Sequence, residues 1–230
     1  MDYAIIAAGA GSRLLNDGIA LSKPLVHLGD EALIDRLLRI FLACNATSVN
    51  IIINEEMKDV QEHCRKLDCP VPLRLVIKST PSSMHSFYEL SHTITAERFV
   101  LTTVDTVFSE TEFAQFIASF QSEAEADGIM AVTEHIDDES PLYVTVNDDG
   151  HIRSFDDTPG SRFISGGIYG LKQNALTVLS QAIEQKQFRM RNYQRSLINN
   201  GFRLKAFNFG TIIDVDHASD IEKAKLLLNV

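Results

Sequence analysis

The 230-residue sequence has no tryptophan, three cysteines and six prolines, and its 21 Lys and Arg are outnumbered by 31 Asp and Glu. Each shortage excludes something. Cys44, Cys64 and Cys69 are an odd count without metal-type spacing, so reduced thiols are expected rather than a disulfide framework or a zinc site. A formal charge of -10 runs against sequence-independent binding to nucleic acid or to an anionic membrane, because such binding needs clustered Lys and Arg. A small anionic substrate stays open, provided that a local positive pocket and a divalent cation offset the surrounding field. No apolar run approaches the roughly 20 residues of a membrane span, and "YAIIAA" lacks the basic flank and length of a signal peptide, so a cytoplasmic protein is expected. One domain, 1–230, is the default, since cores divide only beyond about 250 to 300 residues.

With 45% hydrophobic residues, the chain can bury a core. Apolar runs suited to buried parallel strands fall at Tyr3 to Ala7, Ser48 to Ile53, Leu73 to Ile77, Arg98 to Thr103 and Ile129 to Thr133. Between them, "EALIDRLLRIFLAC" puts Leu33, Leu37, Leu38, Phe41 and Leu42 on one helical stripe, and "MKDVQEHCRKL" and "SSMHSFYELSHTI" read as further helices. This alternation predicts an α/β sandwich with helices on both faces of a mixed, mostly parallel sheet. After Glu134 the pattern changes. "PLYVTVNDDGHIRSF" predicts an inserted hairpin around Asp148-Asp149-Gly150, since Asp-Gly supplies the positive backbone angles of a tight turn. A strand at "FISGGIYGL", helices at Gln173 to Glu184 and Asn192 to Asn199, a strand at "RLKAFNF" and a final strand entering a helix at "TIIDVDHASDIEKAKLLL" follow. The acidic stretch at 137–140 reads as a solvated turn.

The informative segment is "YAIIAAGAGSRLL", followed by "KPLVHLGD". A P-loop would need Gly-Lys-Ser/Thr, but Gly11 precedes Ser12 and Arg13. A dinucleotide loop would need a third glycine where Leu14 stands, and Asp30 follows a loop rather than a second strand. A nicotinamide- or flavin-dependent oxidoreductase is therefore the weaker reading. What fits is a loop in which Ala8, Gly9, Gly11 and Ser12 bring backbone N–H groups close to nucleotide phosphates, while Arg13 and Lys23 add cations. Arg13 brings a bidentate fork and Lys23 a point charge.

"AIIAAGAGSRL" with "SKPLVHLGDEALIDRLL" resembles the nucleotide loop of the sugar-phosphate and MobA-like nucleotidyltransferases, which have a Rossmann-like fold. The likeness extends to Asp105 in "RFVLTTVDTVF", where the family holds Mg²⁺ (Val104 replaces a usual glycine), and to "IIDVDHASD", where Asp216 or Asp214 is the second carboxylate. Of these two, Asp216 is preferred because it lies at the mouth of the last helix, whereas Asp220 reads as an acid favourable to that helix's dipole. The resemblance implies a Mg²⁺-dependent enzyme joining a nucleoside monophosphate, from a triphosphate, to a phosphorylated acceptor; it fixes neither the base nor the oligomeric state, for which CTP or UTP and a monomer or homodimer are the expectations. Arg13, Lys23 and Asp105 are then catalytic. It also implies that Ser82, Ser83 and Ser86 face the base and that Gly167 faces the acceptor. Where many relatives carry Glu-Lys-Pro this chain has Asp157-Thr158-Pro159, so Arg162, or Arg189 with Arg191, are the candidates to meet the acceptor phosphate. A non-catalytic nucleotide-binding relative is the competing reading, and the retained carboxylates argue against it.

Overall fold

The structure is a computed structural model that describes residues 1–137 and 140–230. Asp138 and Glu139, within the acidic stretch read as a solvated turn, lie outside the described residues. In chain order the first half contains β1 (Asp2–Ala7), α1 (Ser12–Asn16), a 3-10 turn (Lys23–Leu25), β2 (His27–Leu28), β3 (Glu31–Ala32), α2 (Leu33–Ala43) and β4 (Ser48–Ile53). There follow α3 (Lys58–Lys66), β5 (Leu73–Ile77), α4 (Ser83–Ser91), β6 (Arg98–Thr103), β7 (Thr106–Phe108) and α5 (Glu110–Ser122). The second half contains β8 (Gly128–Thr133), β9 (Tyr143–Val146), β10 (Ile152–Asp156), β11 (Phe163–Lys172), α6 (Ala175–Glu184), α7 (Met190–Asn199), β12 (Leu204–Phe209), β13 (Ile212–Asp214) and α8 (Ala218–Leu228).

The main sheet runs β10-β9-β11-β6-β1-β4-β5, with β8 paired to β11 and β12 to β8. The β6-β1-β4-β5 half is parallel, as is the β8–β12 pair. The reversal comes at β11, which runs antiparallel to β6, β8 and β9. This is the predicted mixed, mostly parallel α/β sandwich, with the β9–β10 hairpin as its insertion.

Alternation along β1 explains the two cores. Tyr3, Ile5 and Ala7 join the cluster that contains the apolar stripes of α2, α5 and α8, whereas Ala4 and Ile6 join the cluster of α4, α6 and α7. A parallel strand covered on both faces calls for a near-continuous apolar run; β1 is buried throughout, and Asp2 at its start accepts hydrogen bonds from the backbone N–H groups of Thr95 and Ala96.

Two elements that set the site were not anticipated. Helix α5 carries Phe113, Phe116, Ile117 and Phe120 as its buried residues, and its Ser109 cap accepts a hydrogen bond from Glu112 N. β7 pairs antiparallel with β13 in a two-stranded sheet of its own, Thr106 opposite Asp214. That ribbon joins the middle of the chain to its C-terminal part, and Val215 N donates to Asp105 O across it at 3.0 Å.

Candidate functional site

Four charged side chains converge at the carboxyl ends of β1 and β6, the edge at which open α/β sheets bind ligands. Gly11 is in the left-handed region (φ 62°), and a Cβ there would lie 3.2 Å from Lys23 Cβ. The bend of the loop thus requires glycine where it crosses Lys23. Pro24 fixes the turn that carries Lys23, and the side chain is 8% exposed.

Lys23 Nζ donates to Asp105 Oδ2 and to Asp216 Oδ1, each at 2.6 Å, and Arg13 Nη1 donates to Asp216 Oδ2 at 2.6 Å. Asp105 and Asp216, 111 residues apart in "VDTVF" and "IIDVDH" numbering, therefore present oxygens separated by no more than twice that contact distance. Burial by itself would lower the Lys23 pKa, but attraction to Asp105 and the hydrogen bonds to Asp105 and Asp216 prevail, holding the ammonium above its ordinary value.

Two clefts flank this cluster. The first, about 350 Å³, is lined by Ala8, Gly9, Ala10, Lys23, Ser82, Ser83, Ser86 and Asp105, together with Asn54, Thr80 and Thr103. It brings together most of the residues expected around the nucleotide, although Gly11 and Ser12 shape the loop rather than line the cleft. Ser82 caps α4 through His85 N and donates to Phe188 O at 2.5 Å. Ser86 shares a 2.6 Å hydrogen bond with Thr80. Asn54 was missed by sequence reasoning. Its carbonyl accepts from Glu56 N and Ser79 Oγ, and its amide reaches Ala8 O at 3.4 Å, so it props the glycine loop from the end of β4.

The second cleft, about 280 Å³, lies on the other side of Asp216 and is lined by Arg13, His135, Ser165, Gly166, Asp214, Asp216, His217 and Lys223 among others. Asp214 is exposed there at the end of β13. Gly167 is not in its wall; it lies at φ 72° with its Cβ position 3.4 Å from Oγ1 of Thr106, the residue that follows Asp105. A shift of register between Ser165 and Tyr169 bends β11 at this point. Arg189 and Arg191 line neither cleft. Arg191 pairs with Asp157 and donates to Ser140 O, and Arg195 also pairs with Asp157. Arg162 pairs with Glu134 and lies over the Phe163 ring.

Asp17 was also missed. It accepts from Ala218 N at 3.0 Å and shares a 3.0 Å contact with His217 Nδ1, stapling the end of α1 to the start of α8 and so holding Arg13 near Asp216. The Ala218 bond, then His217, depresses its carboxyl pKa. Asp220 accepts from the backbone N–H of His217 and Asp216, which fits its reading as a helix-start acid.

The cluster suits a small hard cation. Asp105 and Asp216 offer carboxylate oxygens that already share one positive charge. Among the described residues, no group of three or more His, Cys, Asp and Glu gathers as a closed protein cage. Mg²⁺ is commonly held without such a cage, by one or two carboxylates with phosphate oxygens and water completing the shell.

Over residues 3–166 the sequence matches the family described as the MobA-like NTP transferase domain. Among solved structures, the inositol-1-phosphate CTP transferase from T. maritima is 16% identical, with a TM-score of 0.82 over 99% of this chain and 96% of that one. A UDP-glucose pyrophosphorylase complexed with UDP-glucose is 16% identical, with a TM-score of 0.80 over 99% and 98%. A search of curated protein sequences finds no match. Among the described residues, no helix is long and apolar enough to cross a membrane.

Proposed function

The chain belongs to the family of MobA-like NTP transferase domains and is a nucleotidyltransferase, and from that premise we propose that it transfers a nucleoside monophosphate from a triphosphate to a small phosphorylated acceptor, with Mg²⁺ and in the cytoplasm. CTP or UTP is the proposed donor, and a sugar phosphate or similar alcohol phosphate the acceptor. The observation that carries this reading is the meeting of Asp105 and Asp216 on Lys23, beside a glycine loop and between two clefts.

In the proposed reaction an acceptor phosphate oxygen attacks the α-phosphorus, a new P–O bond forms, and the bond to the β-phosphate oxygen breaks to release pyrophosphate. Phosphoryl-centre displacement needs little covalent help, so positioning and charge neutralisation dominate. When bound by Asp105 and Asp216, Mg²⁺ supplies the positive charge that lets two phosphate groups approach. The Ala8–Gly11 backbone would hold the triphosphate in the first cleft, with Ser82, Ser83 and Ser86 at its far end toward the base. Lys23 would neutralise the α-phosphate, and Arg13 the departing pyrophosphate. The acceptor body would occupy the second cleft, with Gly167 close to its phosphate. Arg189 and Arg191 are set aside from that role, because neither lines a cleft and Arg191 pairs with Asp157.

Pyrophosphate release, measured with Mg²⁺ over a panel of triphosphates and phosphorylated acceptors, is the direct test. Release that requires both one pyrimidine triphosphate and an acceptor supports the proposal. Nucleotide binding without release from any pair would mark a non-catalytic relative.

A further inference from the structure

The cations assigned to the phosphates and the carboxylates assigned to the metal are bonded to one another. Lys23 Nζ takes one oxygen of each aspartate and Arg13 takes the second oxygen of Asp216, so the four formal charges cancel. We propose that Lys23 and Arg13 form an internal counter-cation latch, which keeps metal off Asp105 and Asp216 until a polyphosphate draws the two side chains away. This inference rests on the proposed function and adds to it an order of events: metal and triphosphate enter together, as an exchange of ion pairs.

The argument is one of charge balance. A divalent cation arriving alone would have to displace an ammonium that is 8% exposed, leaving Lys23 and Arg13 without their carboxylates beside a doubly positive ion. A triphosphate arriving alone would draw the cations off and then face two unpaired carboxylates. When both arrive, the phosphates take the cations and the metal takes the carboxylates, so every charge stays paired. The surroundings permit the exchange. Lys23 already lines the first cleft, and the Arg13 side chain, at 51% exposure, has room to turn. Each ligand then raises the affinity for the other, as linkage requires.

The test uses Mn²⁺ alone, without nucleotide, followed by the loss of the free-ion electron paramagnetic resonance signal. Wild type is expected to bind weakly, and Lys23→Gln about tenfold more tightly or better, since removing one neighbouring positive charge favours a divalent ion strongly in a partly buried site. Arg13→Gln, a change at a side chain 51% exposed, is expected to fold and to tighten binding by a smaller factor, and stands in if Lys23→Gln does not fold. Wild type that releases pyrophosphate with Mg²⁺ yet binds Mn²⁺ as tightly as the folded variants would overturn the latch and leave the proposed function standing. Absence of both pyrophosphate release and Mn²⁺ binding in every protein would overturn both.

Discussion

Replacing Lys23 with alanine is expected to lower turnover about a hundredfold, a loss on the order of 3 kcal/mol in transition-state stabilisation. The side chain reaches both the carboxylate pair and the wall of the first cleft, so its removal takes away a charge aimed at the α-phosphate. The fold is expected to survive. Asp216 keeps Arg13, and the backbone of the Lys23 turn is held by Val26 N donating to Lys23 O at 3.1 Å. Because its partners hold the ammonium above its ordinary value, the stabilisation that Lys23 gives is complete below the unfolded value of about 10.4 and fades only as pH rises through the higher folded one. Turnover of Lys23→Ala measured near neutral pH, with a thermal melt alongside, separates chemistry from folding. A near-normal rate in a folded variant would remove Lys23 from the mechanism.

Asp105→Ala is expected to cost at least as much, about a hundredfold in turnover, with the opposite dependence on metal. It deletes a proposed ligand, so residual activity should require more Mg²⁺ than wild type. Lys23→Ala deletes a competitor, so it should require no more. Folding should again hold, since the contact that ties Asp105 to the C-terminal ribbon is through its backbone carbonyl to Val215 N, which alanine retains. Mg²⁺ titrations of steady-state turnover in the two variants give the comparison; an Asp105→Ala variant that needs no more Mg²⁺ than wild type would separate Asp105 from metal binding, and a Lys23→Ala variant that needs more would show that Lys23 does not compete with the metal.

The sheet and the loop were legible because they are local. Strands buried on both faces leave largely apolar runs, as in "YAIIA" and in "SVNIII" apart from Ser48 and Asn50, and a glycine pair before two cations leaves a spacing. Helix α5 has a readable signal in its Ser109 cap and its phenylalanines at helical spacing. Other features were not legible at all. Pairing of β7 with β13 depends on three residues at each end of a separation of more than 100 positions, and nothing in either short run specifies the other. Asp17 looks like a surface acid until α8 is seen to begin beside it. The same holds for Arg191, whose neighbour Asp157 comes to it only when the hairpin folds back.

The central claim is that Asp105 and Asp216 hold one metal ion between a nucleotide cleft and an acceptor cleft. Its most direct test is a crystal soaked with Mn²⁺ and a non-hydrolysable pyrimidine triphosphate, with the ion located by anomalous scattering. The account predicts one peak ligated by both carboxylates and by phosphate oxygens, with Lys23 turned toward the phosphates. A peak ligated by neither aspartate, or a bound triphosphate with Lys23 still bridging the two, would contradict it.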